Sequence, residues 1–184
     1  MAPGDDASAR LGRPQFEALY VRLEKPVFNV VYRWVWNTEE ARDVTQEAFM
    51  KLWDARERVR MDSVEPLVFQ SALNLAANRL RARKVRRFLT LGIGADDDAA
   101  DDASTGPHAT LEEKQRREAV RKAVEALPEK LKAVVMLCEF SGLTTAQISE
   151  ALGIPQGTVG SRRSLAMAAL EKSLGRIEGL EVAS

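Results

Sequence analysis

The sequence predicts an all-α protein, with two small helical domains joined by a flexible acidic linker and a helix-turn-helix in the second domain. Three observations carry that prediction. From Pro14 onward, apolar residues recur at spacings of three and four, the period of an amphipathic helix, and no β-alternating run or Asn-Gly hairpin signal breaks them. The stretch "TLGIGADDDAADDASTGPHAT", Thr90 to Thr110, loses that period and is built from linker residue types. Finally, "TTAQISEALGIPQGTVGSRRS", Thr144 to Ser164, sets a helix, a glycine turn and a second helix in close succession.

Taken in order, residues 1–13 are rich in small and polar types and read as a loose tail. "PQFEALYVRLEKPVFNVVYRWVW" is helical, with Pro26 either interrupting it or starting a new helix. Asn37 is a candidate N-cap, and Glu40 three residues on completes a capping-box pattern worth roughly 1 kcal/mol. In the helix that follows, Ala41, Val44, Ala48 and Leu52 share one face, widened by Phe49, which should point to the core. The opposite arc gathers Asp43, Gln46, Glu47 and Asp54 around Met50, with Trp53 at its edge. Acids, an amide and a thioether in one stripe are an odd mixture for a merely solvated face.

The next helix should run from near Pro66 to about Phe88. Phe69, Leu73, Ala76 and Leu80 form its core stripe, and the same face continues as Lys84 and Arg87, so the helix projects beyond its core. Residues 14–89 therefore make one domain and 90–110 the linker. Periodicity resumes at Leu111, breaks at Pro128, continues through "EKLKAVVMLCEF", turns at "SGL", and ends in two short helices near Leu174. This gives a second domain over 111–174 and a tail over 175–184.

Bulk properties narrow the function. Formal net charge is zero, with 27 basic and 27 acidic residues, yet residues 10–89 hold 16 Lys and Arg against 10 acids, while 90–110 hold five Asp and no basic residue. Such zoning suggests a polyanionic partner for the first domain. Cys138 is the sole cysteine, which excludes an internal disulfide and fits a reducing compartment. The opening "MAPGDDASAR" is acidic and lacks an apolar signal core, and no apolar run is long enough to cross a bilayer, so the protein is read as cytoplasmic, with no membrane insertion. No ligand cluster, phosphate loop or nucleophile–base pair is legible, so neither metal, cofactor nor catalysis is expected.

Two motifs point to nucleic acid. In the helix-turn-helix, Thr144 or Thr145 caps the first helix, Ile148 and Leu152 point inward, Gly153 makes the turn, and Val159 packs the second helix back. That second helix would lie in a DNA major groove, with Gln156, Thr158, Ser161, Arg162 and Arg163 as candidate contacts. The bland alternative is an αα-corner of a helical domain. In "RLRARKVRR", Arg79 to Arg87, six basic residues occur without an acid, and Gln70, Asn74 and Asn78 line a face with Arg81 beyond them. Amides beside guanidinium groups suit bases and phosphates together; the bland alternative is a solvated face. His108, Cys138, Trp34 and Trp36 take the plain readings of linker or packing residues.

Together these motifs resemble a bacterial RNA polymerase sigma factor of the small two-domain extracytoplasmic-function type, within the sigma-70 family. The resemblance spans residues 14–89 and 111–174. It implies that the helix with Asp43, Gln46, Glu47 and Phe49 in a D-x-x-Q-E-x-F pattern docks on the clamp helices of the polymerase β′ subunit, so Asp43, Gln46, Glu47, Met50 and Trp53 become candidate polymerase contacts. "LNLAANRLRARKVRR" is similar to the helix that reads and holds the melted −10 element. Asn74, Asn78, Arg79 and Arg81 take that role by position, and Arg83, Lys84, Arg86 and Arg87 follow as a charged surface. The C-terminal domain would dock near the β flap and read the −35 element.

The recognition helix departs from the family pattern G-T-V-K-S-R-L-x-R-A-R. In "GTVGSRRSLAM" the lysine position is Gly160, two arginine positions are Leu165 and Met167, and the leucine position is Arg163, which should snorkel outward. Fewer phosphate contacts imply weaker, less salt-sensitive binding. The resemblance also implies a monomer when free and an anti-sigma partner. A competing reading is a helix-turn-helix transcriptional regulator that acts without core polymerase, which leaves the Asp43 stripe and the basic helix without a use.

Overall fold

The computed structural model describes residues 11–89 and 110–181. Seven α-helices follow one another: α1 (Arg13–Val35), α2 (Thr38–Ala55), α3 (Val64–Leu89), α4 (Leu111–Glu125), α5 (Glu129–Phe140), α6 (Thr145–Leu152) and α7 (Gln156–Glu181), with a short 3-10 turn, Met61–Ser63, ahead of α3. Among the described residues there is no strand. Residues 90–109, which hold all but the last residue of the expected acidic linker and include His108, lie outside the described residues.

Helix α1 runs through Pro26 without a break. A proline inside a helix costs roughly 3 kcal/mol, and here Leu19, Leu23, Val27, Val30, Val31 and Trp34 bury one continuous face that offsets it. Leu11, assigned to the tail from the sequence, is 2% exposed and belongs to the core. The helix ends at Trp36, a left-handed residue with φ 56° whose N–H bonds back to the Tyr32 carbonyl.

Asn37 caps α2, accepting from the Glu40 N–H at 2.8 Å. The Glu40 carboxylate, which a capping box would turn back to the cap, is taken by the Arg83 guanidinium of α3. Thr144 caps α6 and Thr110 caps α4, each through a complete capping box. Gly153 closes α6 at φ 61°, and Val159 and Ala166 of α7 are buried against it and α5. The last helix is a single element of 26 residues that ends at Glu181 rather than near Leu174. A lone glycine such as Gly175 costs a helix only about 1 kcal/mol, so it does not stop a helix already under way.

Helices α1, α2 and α3 pack as a three-helix unit, and α4 to α7 form a second. The two are in contact: α3 packs on α6 and α1 on α5, and one continuous hydrophobic cluster includes residues of both. The sequence stripe of α3, Phe69, Leu73, Ala76 and Leu80, is correct but too narrow. Val64, Val68, Ala72, Leu75 and Ala77 are buried as well, because α3 is covered by α1 and α2 and also by α6.

Candidate functional site

Helix α2 divides as its periodicity predicts. Ala41, Val44, Ala48, Phe49 and Leu52 are buried, whereas Asp43, Gln46, Met50 and Asp54 are exposed, Met50 at 57%. An unbranched thioether held in water next to acids is a poor solvated face and a good adaptable contact. Beside it lies an open groove of about 440 Å³ between α1 and α2, lined by Phe16, Tyr20, Phe49, Met50 and Trp53 together with Arg13, Glu17, Gln46 and Asp54. The rings interlock: Phe16 and Trp53 centroids are 4.9 Å apart, Tyr20 and Phe49 4.8 Å. Sequence reasoning missed the α1 half of this surface, although Phe16 and Tyr20 stand four apart and share a helix face.

Glu47 sits differently from the rest of the stripe. It is half-buried, accepts from Arg79 of α3 at 3.2 Å and lies 3.5 Å from Lys51. Glu47 keeps its place on the polar arc of α2, and its neighbours turn it toward α3. Trp53 is likewise half-buried, under the Arg56 guanidinium at 4.4 Å.

On α3, Asn74 and Asn78 are exposed, and Arg81 donates to Asn78 Oδ1 at 2.8 Å. The amides and one guanidinium thus form one surface. Arg79, grouped with these residues by the resemblance, and Arg83, placed in the charged surface, reach Glu47 and Glu40 on α2 and tie the two helices together. Arg83 is half-buried for that reason. Lys84 and Arg86 are exposed, and the side chain of Arg87 lies outside the described residues. Arg81 also donates to Glu129 of α5 at 3.0 Å.

In α7, Gln156, Ser161 and Arg163 are exposed and Thr158 and Arg162 half-buried. Arg163, at the family's inward leucine position, does turn outward and donates to Glu139 of α5 at 2.8 Å. That acid, with its hydrogen bond and charge, raises the Arg163 pKa. Leu165 and Met167 are exposed, and a Cβ added at Gly160 would meet open space. Cys138 is half-buried, and burial pushes its thiol pKa up, away from reactivity. Among the described residues no cluster of His, Cys, Asp and Glu could hold a metal, and no helix is long and apolar enough to cross a membrane.

Comparison with known proteins fits this geometry. Residues 19–86, which span α1 to α3, match Sigma-70 region 2, and residues 117–170, which span α4 to α7, match Sigma-70 region 4. The chain is 33% identical over 166 residues to the RNA polymerase sigma-H factor of Pseudomonas aeruginosa, with 86% of each chain covered. The chain belongs to the extracytoplasmic-function sigma factors. It is also 30% identical to the ECF RNA polymerase sigma-E factor of Escherichia coli, again over 86% of each chain. Two solved structures share the fold at 19% identity. One is the sigma factor RpoE with the anti-sigma factor NepR from Bartonella quintana, at a TM-score of 0.67, covering 87% of this chain and 96% of that one. The other is CnrH with the cytosolic domain of CnrY, at 0.65 and 90% of each. As a sigma factor the protein directs promoter-specific transcription initiation and belongs to no enzyme family.

Proposed function

We propose that this sigma factor docks on core RNA polymerase through the exposed stripe of α2 and the groove beside it, with Asp43, Gln46, Met50 and Trp53 facing the β′ clamp helices. In the same reading Asn74, Asn78 and Arg81 of α3 read the −10 element. Gln156, Thr158, Ser161, Arg162 and Arg163 of α7 face the −35 element, and the C-terminal unit sits near the β flap. The observation that supports it best is Met50, more than half exposed, beside an aromatic groove on a helix whose other face is fully buried. Apolar surface of that kind, rimmed by Asp54 and by Glu17 in its pair with Arg13, suits a partner helix with an apolar anchor. An anti-sigma partner that covers this surface belongs to the proposal, since the Bartonella quintana sigma factor of the same fold is bound to one. So do action in the cytoplasm and a monomeric free form.

Cosedimentation with core polymerase in the absence of DNA tests the docking surface. Met50→Glu should weaken binding by about tenfold or more, the effect of losing one central contact, with thermal unfolding unchanged because the site is exposed. Asn78→Ala should bind core normally and shift preference among −10 variants by about 1 to 3 kcal/mol if the amide contacts a base bidentately. Unchanged core affinity in Met50→Glu would remove the docking assignment.

A further inference from the structure

The sulfur atoms of the described residues are unequally open to solvent. Met50 is 57% exposed, Met167 37% and Met136 2%, and Met61 is half-buried. Cys138, the sole cysteine, is half-buried and packs against the hydrophobic core. Burial raises its thiol pKa, so little of it is present as the thiolate that reacts with oxidants. Among the described residues, Met50 is thus the sulfur that a dissolved oxidant meets first.

Met50 also stands where a change of polarity would be felt. It lies on the exposed stripe of α2 with Gln46 and Asp54 one helical turn away on either side, and it lines the aromatic groove with Phe16 and Trp53. A thioether is apolar and adaptable, whereas its sulfoxide carries a strongly polar oxygen that accepts hydrogen bonds. In the free protein water satisfies that oxygen, and core packing is undisturbed because Met50 is outside the buried face of α2. A docked helix with an apolar anchor excludes that water and offers no donor in its place. A buried acceptor without a donor is strongly unfavourable.

We propose that Met50 is a site of reversible oxidation, at which sulfoxide formation by a peroxide turns off the docking surface of α2 and reduction restores it. The proposal rests on the reading of the α2 stripe as the polymerase-docking surface. The step is an oxygen-atom transfer. A lone pair of Met50 Sδ attacks one oxygen of hydrogen peroxide, the O–O bond breaks, and the departing hydroxide takes the proton of the transferred oxygen and leaves as water. The thioether is oxidised to the sulfoxide as the peroxide is reduced. A methionine sulfoxide reductase drawing on a pair of thiols returns the thioether, with water and a disulfide as products. Oxidant thereby acts directly on the capacity of the chain to assemble with polymerase, and no cysteine of this chain takes part.

Hydrogen peroxide treatment of the full chain, quenched with catalase before titration against core polymerase, tests the proposal. Peptide mass spectrometry should find the Met50 sulfoxide at doses that leave Met136 and Cys138 unmodified, with helicity and the unfolding midpoint unchanged. The oxidised protein should bind core about tenfold more weakly, the order of effect of a buried acceptor left without a donor. Sulfoxide reductase with dithiothreitol should restore the affinity. Met50→Leu supplies the control: whatever its own affinity, peroxide should not change it. Oxidation of another described sulfur ahead of Met50, or an oxidised protein that binds core as tightly as the untreated one, overturns the proposal. An equal loss of affinity in peroxide-treated Met50→Leu overturns it too, by placing the effect at another residue. Failure of the docking surface reads out separately. Full affinity in Met50→Glu removes that surface, whereas a weakened Met50→Glu beside an unaffected sulfoxide leaves the surface standing and removes the oxidation site as its control.

Discussion

Lys132 keeps its charge through neighbours on several helices. Burial is the largest influence on it and, with Lys84 of α3, lowers its pKa to about 8, against the opposing pull of Glu125 and Glu129. The sign of the pH dependence follows. Below pH 8 the folded and unfolded chains both carry the proton, so the full cost of burial is present. Between pH 8 and the ordinary value of 10.5 the unfolded chain binds more protons, and stability rises with pH. The gain from pH 7 to 9.5 should be on the order of 1 to 2 kcal/mol. Lys132→Met, similar in length and without charge, should abolish that rise and match or exceed the parent's stability at pH 7. Urea midpoints of both proteins at the two pH values check this; a Met variant that keeps the rise would place the titrating group elsewhere.

At the scale of elements, α2 was the most legible part of the chain, because five apolar residues at helical spacing leave only one orientation for Asp43, Gln46 and Met50. The helix-turn-helix was legible for a similar reason: Ile148, Gly153 and Val159 each occupy a position that few residue types can fill. Helix α3 was half-legible. Its amides stood out, but Arg79 and Arg83 looked like the rest of a basic run, since a one-helix pattern does not show acids that approach from α2. Lys132 was invisible. A lysine among "EKLK" reads as solvated surface, and only the end of α1, about a hundred residues earlier, makes it a buried group. Helix α7 carries its own prediction. Gly160→Ala should stabilise the helix by up to about 1 kcal/mol, since the added Cβ meets open space. Gly160→Lys combined with Met167→Arg should also tighten promoter binding and steepen its salt dependence by about two in log–log slope. Competition binding at several salt concentrations reads this directly. A doubly substituted protein with the parent's slope would show that these positions do not face DNA.

For the molecule as a whole, the length of chain between the halves limits how far apart they can act. Residues 90–110 number 21, enough to span at most about 70 to 75 Å at ~3.3 to 3.6 Å each. That is just sufficient for two elements two turns apart. Deleting about eight of these residues leaves a reach of about 45 Å. The deletion should therefore impair transcription from promoters that need both elements. Normal initiation by the shortened protein would mean that the halves do not bridge two elements.

A positive charge already matched by a carboxylate brings little new neutralisation to a polyanion. Within the basic run from Arg79 to Arg87, Arg79 begins matched with Glu47, Arg81 with Glu129 and Arg83 with Glu40. On the proposed −10 role of α3, phosphate would have to displace protein acids at these positions rather than small ions from solution, and the entropy gained from counterion release there would be correspondingly smaller. On that reading, binding of the free protein to random duplex would be correspondingly weaker. Whatever draws Glu47 or Glu129 aside on assembly returns those arginines to the nucleic acid.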